Sequence, residues 1–265
     1  KTLAFGVALL SRIDLQQDTM QAMVIAPTRE LAIQIVNESI APLSRRMSPA
    51  PKIEMAIAGG EKIARGARCK SQVVVGTSGK IKDWSSNSKK YIDFKTLKVL
   101  VLDEADMMVK SEGFREDVTG FTTKCRADCQ FLFFSATYPD DCERYCKELA
   151  PTAFLVKVPK NNLMVKQIFQ VRMQVPPGGK VQMLKHAYDI LSVESSIVFL
   201  DTVDEANKVS RMLMDEGFTV STLHGRIDGA DRDTIMDAFR KGETKFLVTT
   251  DVLSRGVDVP AVSVV

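Results

Sequence analysis

Short, largely apolar runs separated by longer helical segments constrain this chain more than any other feature. Ala22–Ala26, Ile53–Ala58, Gln72–Gly76, Val99–Leu102, Phe131–Phe134 and Phe154–Lys157 have strand length. Most do not alternate polar with apolar, so both sides of such a strand must be covered, as in a parallel sheet with helices on each face. Segments of helical period lie between them, including Glu30–Leu43 and Asp140–Leu149. A second series follows, with strands at Phe169–Val175, Ser196–Leu200, Thr219–Thr222 and Lys245–Thr249. Helices are expected there at Lys180–Leu191, Val203–Glu216 and Ala230–Arg240. The polar stretch Pro159–Val165 interrupts the two series, whereas Pro176-Pro177-Gly178-Gly179 reads as a loop within the second. The expected domains are therefore 1–158 and 169–265, joined by a linker over 159–168.

Length agrees, since 265 residues suit two domains. Thirty-six Lys and Arg against 33 Asp and Glu leave a net charge of +3, so any phosphate-binding surface must be a local patch. No apolar run approaches the ~20 residues of a membrane helix, and no membrane partner is expected. Five cysteines without a signal peptide argue for reduced thiols. Cys125-x3-Cys129 and Cys142-x3-Cys146 superficially suggest a zinc knuckle, but the Phe131–Phe134 strand would carry the pairs apart. Trp84 reads as a packing anchor rather than a base-stacking platform, and His186 as solvated.

Chemistry begins where strands end. Val99–Leu102 runs directly into Asp103-Glu104-Ala105-Asp106, and ligands of open parallel sheets sit at the carboxyl ends of strands. An Asp there can hold Mg²⁺ and a neighbouring Glu can polarise an attacking water. An acid-decorated helix start would read the same way in isolation. Lys1-Thr2, opening a helix, is the remnant of a phosphate-binding loop: Lys for the β- and γ-phosphates, Thr for Mg²⁺. Ser135-Ala136-Thr137 follows another buried strand, and its hydroxyls can bond the acids of 103–106.

Pro27-Thr28-Arg29-Glu30-Leu31-Ala32, Gly59-Gly60, Asp103–Asp106, Ser135–Thr137 and Thr249–Asp258 stand in the order and spacing of DEAD-box RNA helicase motifs. The resemblance covers essentially the whole chain. It implies an α/β fold of two tandem RecA-like domains, each a parallel sheet covered by helices on both faces, the second truncated. It also implies an RNA-dependent ATPase using ATP and Mg²⁺. Lys1, Thr2, Asp103, Glu104, Arg255 and Asp258 would bind nucleotide, with Thr2 and Asp103 on the metal. Lys1, Asp103 and Glu104 would also serve catalysis, and Ser135 and Thr137 would couple hydrolysis to domain closure. RNA contacts would fall on Pro27, Thr28, Arg29, Gly60, Thr77 and Gly79, and on Thr202, Arg232, Thr250 and Gly256 of the second domain. Such contacts grip phosphates and 2′-hydroxyls without reading bases. Gly76-Thr77, Asp83-Trp84, Lys98-Val99 and Met107-Met108 further resemble the subgroup that remodels messenger ribonucleoprotein at the nuclear pore. That implies pore or export-factor regulators, a nuclear and cytoplasmic location, and a monomer.

The chain also departs from the pattern. Ser78 and Lys80 replace the usual Pro and Arg, and Lys lacks the planar fork of Arg. Gly229 stands at the position of a usual Gln, while Arg226 offers another donor. Both ends lie inside elements, so the adenine-reading Gln motif, the phosphate-loop glycines and the arginine-finger motif are expected outside residues 1 and 265. The reading is an RNA helicase acting on single-stranded RNA or short duplexes. The alternatives are a catalytically weakened RNA clamp and, less in keeping with the Pro27–Ala32 pattern, a DNA translocase.

Overall fold

The computed structural model describes residues 1–60, 63–158, 168–190, 195–251 and 259–265. The chain separates into two compact units, one holding Lys1–Ala153 and the other beginning at Phe154. Of the expected linker, 159–167 lies outside the described residues.

The first unit runs α1 (Thr2–Leu10), β1 (Ala22–Ile25), α2 (Arg29–Gln34), a π-helical stretch (Ile35–Ile40) and α3 (Ala41–Ser44). Then come β2 (Ile53–Ala56), β3 (Val73–Gly76), α4 (Ser78–Ser85), β4 (Val99–Asp103), α5 (Ala105–Lys110) and α6 (Glu112–Thr122). β5 (Gln130–Phe134) and α7 (Asp140–Leu149) complete it. Among the described residues its five strands pair in the order β2-β3-β1-β4-β5, all parallel.

Strand side chains alternate between faces, which explains why the runs are apolar throughout. Met23, Ile25, Val74, Leu100 and Leu102 join one buried cluster with Ile81, Met108 and Tyr145 of the helices. Ala22, Val24, Val73, Val75, Val99 and Val101 join another with Phe5, Leu9, Ile35 and Ile40. Trp84 anchors the first cluster at 2% exposure, edge-on to Tyr91 at 5.1 Å. All five cysteines are free thiols, and β5 lies in sequence between the two pairs.

The second unit contains α8 (Lys180–Ile190), β6 (Ser195–Phe199), α9 (Val203–Asp215), β7 (Val220–Leu223), α10 (Gly229–Arg240), β8 (Phe246–Thr249) and β9 (Val262–Val264). Its described strands pair in parallel in the order β7-β8-β6-β9. Phe246 and Val248 pack on Ala206 and Leu213 of α9, and Tyr188 of α8 closes on the Phe246 ring at 4.3 Å. His186 is exposed on α8.

Two expected strands do not form. Phe154–Lys157 is irregular, with Phe154 wholly exposed, and Phe169–Val175 is likewise unpaired, with Phe169 90% exposed. Both segments have strand composition, but a strand exists only where a partner completes its ladder, and these find none.

Gly76 marks the tightest approach in the first sheet, because a Cβ there would lie 2.3 Å from the Ala56 carbonyl oxygen. That contact is backbone and cannot swing aside. Gly76→Ala is expected to destabilise the first unit by roughly 1–3 kcal/mol. Gly79 has no atom within 4 Å of its missing Cβ. Gly79→Ala should therefore be neutral or stabilising by up to ~1 kcal/mol in urea unfolding.

Candidate functional site

Because every strand of the first sheet runs the same way, all the segments leaving the strands lie on one edge. The connection Ala26–Thr28 leaves β1, Ile57–Gly60 leaves β2, Thr77 leaves β3, Glu104 leaves β4 and Ser135 leaves β5. Lateral backbone bonds carry the ladder past the strand ends: Ala26 N–H donates to Gly76 O at 2.9 Å and Thr77 N–H to Ala56 O at 3.0 Å. Each expected site residue of this unit except Lys1 and Thr2 sits on or just beyond this edge.

Lys1 and Thr2 reach it through α1. Thr2 opens the helix, and Lys1 Nζ donates to Glu104 Oε1 at 2.8 Å. Lys1 is 39% exposed and Glu104 only 12%, so the pair is shielded chiefly on the carboxylate side. Residues 103 sequence positions apart thus meet in one ion pair.

Asp103 lies deeper, at 3% exposure. Burial, reinforced by the Glu104 carboxylate, pushes its pKa above the ordinary value, against the opposing pull of Lys1. The Glu104 backbone N–H donates to Asp103 Oδ1 at 3.0 Å. Glu104 itself has φ 53° and ψ 49°, a left-handed conformation that costs a non-glycine residue roughly 1–2 kcal/mol. This bend turns β4 abruptly into α5 and aims two successive carboxylates in different directions.

Asp106 is 1% exposed and receives two hydroxyls from the end of β5. Ser135 Oγ donates to Oδ1 at 2.6 Å and Thr137 Oγ1 to Oδ2 at 2.5 Å. Hydroxyl bonds to a buried carboxylate are worth about 1.5–3 kcal/mol each, enough to fix the Ser135–Thr137 segment against α5. Of the acids in 103–106 that the hydroxyls were expected to reach, Asp106 is the acceptor, and it joins α5 to the end of β5.

The remaining residues of this unit cluster at helix starts. Thr28 caps α2 by accepting from Leu31 N–H at 3.2 Å, which leaves Arg29 in the first turn. Thr77 is the cap residue of α4 with its hydroxyl making no capping bond, and Gly79 is exposed in the first turn. Gly60 follows Gly59, whose φ of 76° only glycine adopts without strain. Lys80 is engaged by Asp83 at 3.5 Å.

In the second unit, Thr202 caps α9 by accepting from Glu205 N–H at 3.2 Å and donating to Glu205 Oε2 at 3.1 Å. Thr250 is buried just past β8, and Arg232 lies on α10, its N–H bonded to Asp228 O at 3.0 Å. Both Thr202 and Thr250 follow the carboxyl ends of parallel strands. Arg226, exposed, stands 3.8 Å from Asp204, and Gly229 is the first residue of α10. Arg255, Gly256 and Asp258 lie outside the described residues.

The raised Asp103 pKa has a thermodynamic consequence. The folded state holds that proton more tightly than the unfolded chain, so stability falls as pH rises from the ordinary value of 3.8 through the folded value. Asp103→Asn should therefore raise the melting temperature of the ligand-free protein at neutral pH. The difference should vanish near about pH 3, where both states are protonated.

Residues 1–145 match the family model described as DEAD/DEAH box helicase, and residues 179–265 match the helicase conserved C-terminal domain. The chain is 38% identical over 267 residues to the ATP-dependent RNA helicase DBP5 of Gibberella zeae, covering all of this chain and 54% of that protein. It spans about half the length of the curated relatives it matches. A structure of S. cerevisiae Dbp5 bound to RNA and ADP BeF3 superposes with a TM-score of 0.90 at 32% identity, covering 99% of this chain and 66% of that one. A second, of a Dbp5 variant bound to Nup159, a Gle1 variant, IP6 and ADP, gives 0.61 at 30% identity, covering 95% and 64%. The chain belongs to the DEAD/DEAH box helicase family.

Proposed function

We propose that this chain is the core of an ATP-dependent RNA helicase that remodels RNA or ribonucleoprotein in mRNA export. The observation that carries the chemistry is the convergence of Lys1, Asp103 and Glu104 at one strand end, beside an Asp106 clamped by Ser135 and Thr137. ATP phosphates would draw Lys1 away from Glu104, leaving that carboxylate to orient the attacking water. Asp103 and Thr2 present hard oxygen donors, a set that suits Mg²⁺. When bound, the metal would neutralise charge on the phosphates. Burial makes an unpaired Asp103 carboxylate costly, which fits a group awaiting a cation.

Ser135 and Thr137 read this end of β4 through Asp106, so a shift at Glu104 is transmitted to the end of β5. The RNA-facing groups proposed are Pro27, Thr28, Arg29, Gly60, Thr77 and Gly79, with Thr202, Arg232 and Thr250 from the second unit. They combine helix N-termini, hydroxyls and Arg, which bind phosphate and ribose and leave the bases unread. Sequence-independent, salt-sensitive binding follows. The export role and a place at the nuclear pore, spanning nucleus and cytoplasm, are supported by the likeness to Dbp5 proteins and by the Dbp5 variant's complex with Nup159 and the Gle1 variant.

ATPase activity of the full-length protein, with and without single-stranded RNA, tests this reading. RNA should stimulate turnover, and DNA of equal length should not. Glu104→Gln should lower turnover by at least ~10²-fold while ATP-dependent RNA binding persists. Tight RNA binding without turnover in the wild type would instead make the chain an RNA clamp. Ser135→Ala with Thr137→Ala should preserve ATP binding yet weaken the RNA stimulation, measured as the ratio of the two rates.

A further inference from the structure

The edge of the first sheet opposite the nucleotide-binding residues is strongly basic. The five connections that lead into β1 to β5 (residues 11–21, 45–52, 64–72, 86–98 and 123–129) hold thirteen Lys and Arg against four Asp. Their net charge is +9 in a chain whose total is +3. Parallel pairing places all five on one edge, roughly 19 Å wide for five strands.

This edge is also rigid. Val73 N–H donates to Lys52 O, Ala22 N–H to Gln72 O, Val99 N–H to Gln21 O and Gln130 N–H to Lys98 O, extending the ladder into the connections. Two buried glutamines clip it together. Gln72 accepts from Lys52 N–H at 2.8 Å and donates to Gln17 O at 2.9 Å; Gln21 accepts from Asp14 N–H and donates to Asp14 O. Arg68 adds a 3.1 Å bond to Lys90 O. The backbone that carries the cations is thus a fixed frame, on which Lys52, Lys89 and Arg126 are paired with Asp18, Asp83 and Asp128.

We infer that this edge is a second binding surface for the phosphate backbone of RNA, remote from the strand ends that carry the helicase motifs. The inference rests on the RNA-helicase reading above and extends it to RNA longer than the motifs can span. Charge selects a polyanion. The absence of apolar anchors selects its class, since none of the exposed large hydrophobic residues among those described falls in these five connections. A protein interface is built around aromatic or aliphatic anchors, and a membrane-surface site inserts them. A phosphate backbone requires neither.

The test uses the whole chain, mixed-sequence single-stranded RNA of about 8 and about 30 nucleotides, and a non-hydrolysable ATP analogue. Lys70, Lys95 and Lys124 are exposed and lead into β3, β4 and β5. The Lys70→Glu, Lys95→Glu, Lys124→Glu variant should bind the long RNA roughly tenfold more weakly at ~0.1 M salt, with a plot of log K against log salt about 2 units shallower. Its affinity for the short RNA should stay within twofold of wild type. A control reversing Lys147, Lys208 and Lys241 should leave both unchanged, and melting curves should show all three proteins folded. Equal loss in the control, or unchanged long-RNA binding in the test variant, would overturn the inference while leaving the helicase reading intact. Polyglutamate that displaces long RNA from this edge at equal charge concentration would overturn it in favour of an acidic protein. A wild type that binds neither RNA would remove both readings.

Discussion

Everything in the first unit depends on the parallel pairing of β4 between β1 and β5. Parallel order sends every outgoing connection to one edge and every incoming connection to the other. The two edges can then take on opposite chemistries without any further folding instruction. β4 is buried from Val99 to Asp103, with Val99–Leu102 in register with β1 and all five residues in register with β5. A slip of one residue would turn every inward side chain outward. It would also carry Asp103 away from Glu104's partner Lys1.

Such pairing places carboxylates where the protein interior opposes them. Asp103 and Asp106 are both nearly inaccessible, and their surroundings answer in different ways. Asp106 is satisfied from within by two hydroxyls. Asp103 receives a backbone N–H from Glu104 and the pull of Lys1, which do not offset burial and the neighbouring Glu104 carboxylate, so its proton affinity rises. The contrast separates the two acids: one is bonded within the fold, between α5 and the end of β5, and the other has its charge opposed by its surroundings.

Much of this was legible in the sequence because its cause is local. The wholly apolar runs implied burial on both faces, and the strand ends implied where ligands meet the sheet. Lys1 and Glu104 were legible as members of one nucleotide site, but their direct ion pair depends on how α1 packs through Phe5 and Leu9, which no spacing reveals. Phe154–Lys157 and Phe169–Val175 misled for the converse reason. Their composition is that of strands, and the missing ingredient was a partner, which is a property of the whole unit. The left-handed Glu104 was invisible, since nothing in the residue type announces it. Nor did Gln21 and Gln72 stand out, because a buried glutamine can be identified only once its neighbours are known.

The left-handed bend at Glu104 has a consequence for anyone evolving this protein toward heat resistance. A glycine there relaxes the backbone, and an amide at 103 removes a buried charge, so both changes answer to a selection for folding alone. Thermal screening without a functional filter would enrich these two substitutions early. The resulting lineages would be robust scaffolds stripped of the two carboxylates to which the proposed chemistry is assigned.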